Sequence, residues 1–275
     1  RKPDWLKIKI NSEHKEVSKL LRENKLVTVC EEASCPNRME CFSKKTATFM
    51  ILGSICTRNC RYCDVEAGVP GAVLDDSENI VKAIDTLGLK YVVVTSVTRD
   101  DLEDGGASQF VKTIEKVKAK DCQIEVLIPD FQGNLEALKS VIAAKPDVLN
   151  HNIEAARDIF PIVRPKGDYE ESLELLKRIK EIDPTMTSKS GFMVGIGETF
   201  DEVIETLKDL RASNVDIVTI GQYLQPSKEN IEVSEYVTPK TFSEYAKIGL
   251  ELGFKNVYSG PFVRSSYNAE EVYKK

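Results

Sequence analysis

Six of the seven cysteines of this chain fall within residues 30–63, and they fall as two triplets. Cys30, Cys35 and Cys41 are spaced C-x4-C-x5-C; Cys56, Cys60 and Cys63 are spaced C-x3-C-x2-C. Between them runs Thr46-Ala-Thr-Phe-Met-Ile-Leu-Gly53, apolar and partly β-branched, which predicts a buried strand over 46–53. One triplet therefore precedes a strand and the other sits on the loop after it. Three thiolates on one tight loop suit three corners of a cubane iron–sulfur cluster, because soft sulfur ligands favour that chemistry. The fourth iron is then open to a small molecule. A structural zinc usually closes its fourth position with a nearby Cys or His, and the only histidines, His14 and His151, stand at no finger-like spacing. A disulfide framework belongs to small secreted chains. The first triplet, read as a loop around Pro36 and Asn37, also lacks a local fourth ligand; a second metal knot of zinc type is its alternative.

A chain of 275 residues can bury one large α/β core or two smaller ones. Its formal net charge is −6 and it has no basic block, which argues against a nucleic-acid partner. No apolar run approaches membrane-spanning length, and no signal peptide is visible. Clustered cysteines imply a reducing compartment. The chain begins with Arg1 rather than Met, as a processed or trimmed chain would. The expected location is the cytoplasm, with an organelle matrix as the alternative, and the expected state is a monomer.

From Thr46 onward, strands and helices alternate. Strands are predicted at 46–53, 90–96, 124–129, 147–152, 188–194 and 216–222, with helices near 76–87, 107–118, 133–144, 170–182 and 199–213. Such alternation implies parallel βαβ units. Six repeats predict a partial (β/α)6 barrel, with a doubly wound sheet as the alternative; either places the chemistry at the C-terminal ends of the strands. A further helix over 239–252 opens with Thr238-Pro239 at its cap and first turn and stops at Gly253. Glu13 to Leu26 predicts a short amphipathic surface helix with Val17, Leu20 and Leu21 on one face. The expected organisation is an N-terminal extension over 1–45 carrying the first triplet, a barrel over 46–223 and a C-terminal extension over 224–275.

The C-x3-C-x2-C loop, with Tyr62 before its last cysteine, resembles the signature of the radical S-adenosylmethionine (SAM) enzymes. The upstream triplet together with Gly260-Pro-Phe-Val-Arg-Ser-Ser-Tyr267 narrows the likeness: the chain resembles the lipoyl synthase family. The likeness continues in Thr95-Ser-Val-Thr-Arg-Asp-Asp-Leu-Glu-Asp-Gly-Gly106, Asn150-His-Asn-Ile-Glu154, Met193-Val-Gly-Ile-Gly-Glu198 and Gly221-Gln-Tyr-Leu-Gln-Pro226. It covers nearly the whole chain from about Cys30.

That resemblance implies a partial barrel and a definite set of roles. Cys56, Cys60 and Cys63 would hold the SAM-cleaving 4Fe-4S cluster. Cys30, Cys35 and Cys41 would hold an auxiliary 4Fe-4S cluster, closed by Ser266 or its neighbour Ser265, with Ser266 favoured. An oxygen is a poorer cluster ligand than a thiolate, so that corner would be released readily; a Ser-Ser turn bonding its own backbone is the plainer alternative. Tyr62 would lie near adenine or serve as a core aromatic. Thr95 and Ser96 end a strand, and Asp100, Asp101 and Asp104 lead to a helix start whose N–H groups suit the SAM carboxylate; acidic helix capping is the alternative. Asn152 or Glu154 would hold ribose hydroxyls, and Arg164 would hold the carboxylate with its bidentate fork. Gly195 and Gly197 would let backbone approach adenine or make a tight turn before a helix. Tyr223 and Leu224 would pack on adenine or on the core. Cys122 and His151 are expected to be structural.

The activity implied is sulfur insertion at C6 and C8 of an octanoyl chain held on a protein lysine, with SAM consumed and the auxiliary cluster as sulfur donor. The partners implied are an octanoylated lipoyl-carrier domain (a 2-oxoacid dehydrogenase E2 or the glycine cleavage H protein), an electron donor such as ferredoxin or flavodoxin, and an iron–sulfur carrier that rebuilds the spent cluster. Alternatives are another radical SAM enzyme with an auxiliary cluster, or a non-catalytic iron–sulfur or zinc protein. The chain departs from the family's pattern at Asn230 and Glu232, where His and Pro are usual, and at Asn268, where His is usual.

Overall fold

The computed structural model describes residues 3–6, 19, 21, 23, 26–35, 37, 41, 48–266 and 269. The chain divides into two compact units, one of Lys9–Arg58 and Asp64–Leu149, the other of Arg1–Ile8, Asn59–Cys63 and Asn150–Lys275.

The first unit carries β1 (Val27–Thr28), α1 (Val29–Glu32), β2 (Thr48–Ile51), α2 (Ser77–Leu87), β3 (Tyr91–Ser96), α3 (Ala107–Lys118), β4 (Gln123–Leu127) and α4 (Leu135–Ala143), and it ends within β5 (Val148–Asn150). Strand β1 pairs antiparallel with β2. Strands β2, β3 and β4 pair in parallel, with Thr48 opposite Val93 and Tyr91 opposite Gln123. Strand β3 reads Tyr-Val-Val-Val-Thr-Ser, and its first five residues are buried. An uninterrupted run of this kind suits a strand covered on both faces. Helix α3 buries Phe110, Ile114 and Val117, one stripe at helical spacing. Gly88 ends α2 at φ 65°, a left-handed cap that glycine takes without steric cost.

The second unit carries α5 (Phe160–Val163), α6 (Tyr169–Ile182), β6 (Thr187–Val194), α7 (Phe200–Ala212), β7 (Ile217–Gln222), α8 (Pro239–Glu251) and β8 (Asn256–Gly260). Strands β6, β7 and β8 pair in parallel, with Lys189 opposite Ile217 and Ile217 opposite Asn256. Side-chain caps fix where the helices begin. Asp168 accepts from Glu171 N at 2.9 Å, Thr199 and Glu202 form a reciprocal capping box, and Thr238 accepts from Thr241 N ahead of Pro239. Helix α7 buries Val203, Leu207 and Leu210 completely, each contributing about 1.5–3 kcal/mol of apolar burial.

The fold is the expected α/β class of parallel strand–helix repeats, the class of a partial (β/α)6 barrel. The six predicted strands and the six helices from residue 76 on stand within two residues of their expected bounds. Three things differ. Cys30 lies on α1 rather than in a loop, because Thr28 caps that short turn by accepting from Glu31 N at 3.3 Å. Strands β1 and β8 and helix α5 were not anticipated, and β8 joins residues 256–260 of the supposed tail to β7. The helix over 13–26 lies outside the described residues apart from Lys19, Leu21 and Glu23, which are helical, and Leu26, which is not. Residues 46–47, Tyr267 and Asn268 also lie outside them. Among the described residues, no helix is long and apolar enough to cross a membrane.

Candidate cofactor site

Apart from the first cysteine triplet, each sequence motif singled out above lies at or just after the C-terminal end of a strand. In the first unit, Cys56 comes five residues after β2 and is tied at both backbone groups. Its N–H donates to Glu66 O at 2.8 Å, and its carbonyl accepts from Gly68 N at 2.9 Å. Its Sγ accepts N–H from Arg58 at 3.4 Å and from Thr98 at 3.3 Å. Arg58 is buried and doubly forked. Its guanidinium meets Asp130 at 2.5 and 2.7 Å and Asp100 at 2.8 and 2.9 Å. Burial alone would favour loss of the Arg58 proton; the bonds to Asp100 and Asp130 outweigh it and hold the group charged.

Cys30 is buried on α1, and burial, reinforced by Cys35, pushes its thiol up to about 11. Binding a metal there must release that proton. Cys35 N donates to Cys30 O at 3.2 Å, and Cys41 N to Asn37 O at 2.9 Å. Thr95 Oγ1 donates to Leu127 O at 3.0 Å, whereas Ser96 Oγ is buried with no hydrogen-bond partner. The three aspartates after β3 all have partners within the unit. Asp100 holds Arg58, Asp101 holds Arg99, and Asp104 caps α3 by accepting from Gly106 N and Ser108 N, both at 2.8 Å.

In the second unit, the segment Asn59–Cys63 is pinned on both sides. Arg61 N donates to Val163 O at 2.8 Å, and Arg61 O accepts from Ile231 N at 3.0 Å. Asn230, one of the departures from the family's pattern, donates its side-chain amide to Cys63 O at 2.9 Å. Tyr62 packs against an apolar cluster of Ala155, Val163, Ile196 and Tyr223. Burial, followed by the charges of Glu154 and Cys60, raises its phenol pKa well above the usual value. Glu154 stands at φ 69°. Burial raises its pKa, and Arg164, then Asn152 and Tyr62, only partly offset this. Tyr62, Asn152, Glu154 and Arg164 therefore form one group, within electrostatic reach of Cys60 and Cys63.

One of the C-terminal serines reaches the same group. Asn152 Nδ2 donates to Ser265 Oγ at 3.3 Å. That placement rests on Gly221 of β7, where a Cβ would fall 2.1 Å from Val263 O. Ser266 is half-buried beside Ser265. Two of the residues expected near adenine also have close protein neighbours. Tyr223 is 2% exposed and its hydroxyl donates to Ile231 O at 2.7 Å, which makes it core. At Gly195, φ 92°, a Cβ would meet Gln222 Nε2 and Glu235 O, each at 2.3 Å, so the close approach there is the chain's own. Leu224 is half-buried. His151 is buried within the second unit.

The donor set fits sulfur and polar ligands. Among the described residues no cysteine is joined in a disulfide. Among the described residues no three His, Cys, Asp or Glu side chains gather as a single-ion site. Ser96 Oγ in the first unit, and Asn152 Oδ1 and Ser259 Oγ in the second, are buried without partners. A buried polar group left unsatisfied costs about 1–3 kcal/mol, which a polar ligand would recover. Sequence reasoning missed Arg58, Asp130 and the hold of Asn230 on Cys63; a lone Arg between two cluster-type cysteines was the one available signal.

Residues 50–210 match the radical SAM superfamily. The structure is similar to SuiB of Streptococcus suis bound to S-adenosylmethionine, with a TM-score of 0.59 and 11% identity over 82% of this chain and 54% of that one. It is also similar to HydG, the FeFe-hydrogenase maturase of Carboxydothermus hydrogenoformans, with a TM-score of 0.57 and 15% identity over 94% of this chain and 77% of that one. At such identities the likeness is one of fold, and that fold together with the superfamily match makes the chain a radical SAM protein. Its sequence is 57% identical to a lipoyl synthase of Caldanaerobacter subterraneus subsp. tengcongensis, over 98% of this chain and 96% of the relative. It is 55% identical to a lipoyl synthase of Caldicellulosiruptor saccharolyticus, over 100% of this chain and 98% of the relative. The chain belongs to the lipoyl synthase family.

Proposed function

We propose that this chain inserts sulfur at C6 and C8 of an octanoyl group carried on a protein lysine, completing the lipoyl cofactor. The observation that carries this reading is the pair of cysteine triplets flanking β2 in a chain that belongs to the lipoyl synthase family. Cys56, Cys60 and Cys63 would hold one 4Fe-4S cluster, and Cys30, Cys35 and Cys41 with Ser266 or Ser265 a second. Bound there, the two clusters and SAM supply hydrogen abstraction and sulfur.

The chain's own residues position and shield. The apolar cluster around Tyr62 and Tyr223 keeps water from one side of the Cys60–Cys63 turn. Arg164 offers a guanidinium to a carboxylate ligand, and Asn152 and Glu154 offer acceptors to hydroxyls. Ser96 presents a hydroxyl whose bonding capacity the protein leaves open. The substrate would be an octanoylated carrier domain, of a 2-oxoacid dehydrogenase E2 or of the glycine cleavage H protein. A ferredoxin or flavodoxin would supply electrons and an iron–sulfur carrier would rebuild the spent cluster. The clustered cysteines favour a reducing compartment such as the cytoplasm.

Metal content tests this directly. Anaerobic reconstitution should load about eight irons per chain, and replacing Cys30, Cys35 and Cys41 with Ala should leave about four. Those variants should still cleave SAM and transfer no sulfur. A zinc-loaded, colourless protein would contradict the reading.

A further inference from the structure

The loop between Cys56 and Cys60 carries one strongly charged side chain, Arg58, and its side chain is only 4% exposed. Four hydrogen bonds run from it to two carboxylates that are 42 and 72 residues away in the chain. Asp130 is 5% exposed and Asp100 25%. The backbone just after Asp130 is sharply bent. Phe131, Gln132 and Gly133 follow it at φ 50°, 51° and 71°, a left-handed run that two L residues adopt only against steric resistance. Phe131 anchors the run edge-on against Phe110 at 6.3 Å. Gln132 N donates to Asp130 Oδ1 at 3.0 Å, and its side-chain amide reaches Asp100 O at 3.4 Å. Thr57 completes the tie, donating to Thr98 O at 3.0 Å and accepting from Asp100 N at 3.1 Å.

All of this converges on one sulfur. The Arg58 and Thr98 N–H groups that point at Cys56 Sγ belong to the two segments that the clamp joins. The geometry points to Arg58 as a positioning residue: through Asp100 and Asp130 it fixes the two N–H···S bonds to Cys56, and so sets the retention and reduction potential of the cluster that Cys56 holds. The inference rests on the proposed reading of that loop as a cluster site. Hydrogen bonds to a cluster's sulfurs stabilise its reduced, more negative state, and outer groups that orient a ligand govern how firmly the metal is kept.

The test uses the full chain, reconstituted with iron and sulfide, as wild type, R58K and D100N. The cluster in question is the one whose electron paramagnetic resonance changes on adding SAM, and its midpoint potential is followed by redox titration. R58K keeps the charge and loses the fork; D100N keeps the shape and removes a negative charge at the more exposed partner. Positioning predicts that both variants move the potential downward and lose iron to a chelator about ten- to a hundredfold faster, with far-ultraviolet circular dichroism unchanged. A charge effect alone predicts an upward move in D100N and none in R58K, and that pattern, or no change in either, overturns the inference. A wild type with no SAM-responsive signal would instead overturn the cluster assignment of the loop.

Discussion

Glu154 keeps its carboxyl in surroundings that penalise its charge, at a left-handed backbone position that few non-glycine residues occupy. Its pKa is raised by burial, so the folded chain binds this proton more tightly than the unfolded one. The associated stability is present below the ordinary glutamate value of about 4.3 and is lost as the pH rises through the folded value. E154Q should therefore gain thermal stability over wild type as the pH goes from about 4 to neutrality, and should lose SAM affinity. Scanning calorimetry across that range checks this; a stability difference that does not vary with pH would contradict it. At this scale the sequence was legible where spacing is local. Two triplets within 34 residues announce themselves, and so does an aromatic next to a cysteine. The partners of Arg58 do not, because nothing local in the sequence links Arg58 to Asp130. Asn230 was flagged only as a departure, and its contact with Cys63 crosses 167 residues.

Strand β7 shows how an element can be shaped for what lies over it. Gly221 leaves room for the carbonyl of Val263, and the chain continues from there to Arg264, Ser265 and Ser266. G221A would drive a Cβ into backbone, which cannot yield as a flexible side-chain end does. The expected cost is about 1–3 kcal/mol, read as a lower denaturation midpoint. Weaker iron loading at the first triplet should accompany it, as the proposed serine ligand requires. Full stability with full iron content would count against this account of β7. Helix α3 and strand β3 were readable because a long stripe or an unbroken apolar run is a strong periodic signal. Strand β8 was not: Asn-Val-Tyr-Ser-Gly is short and half-buried throughout. Helices α1 and α5 have four residues each, too few to show a period.

At the scale of the whole chain, the alternation of strand and helix and the caps that start α6, α7 and α8 are local signals, and they sufficed for the fold class. The division into two units was not visible. It cuts the cysteine loop itself, leaving Cys56 with one unit and Cys60 and Cys63 with the other. No composition change marks that boundary, because it follows contacts between distant segments. The central claim concerns what the two triplets accomplish together, and one reaction tests it. The anaerobically reconstituted chain is mixed with SAM, a strong reductant and an octanoyl-lysine peptide, and the peptide is followed by mass spectrometry. The account predicts that the octanoyl chain gains two sulfur atoms while 5′-deoxyadenosine accumulates, and that sulfur transfer alone disappears when Cys30, Cys35 and Cys41 are replaced. Accumulation of 5′-deoxyadenosine with the peptide unchanged would contradict it.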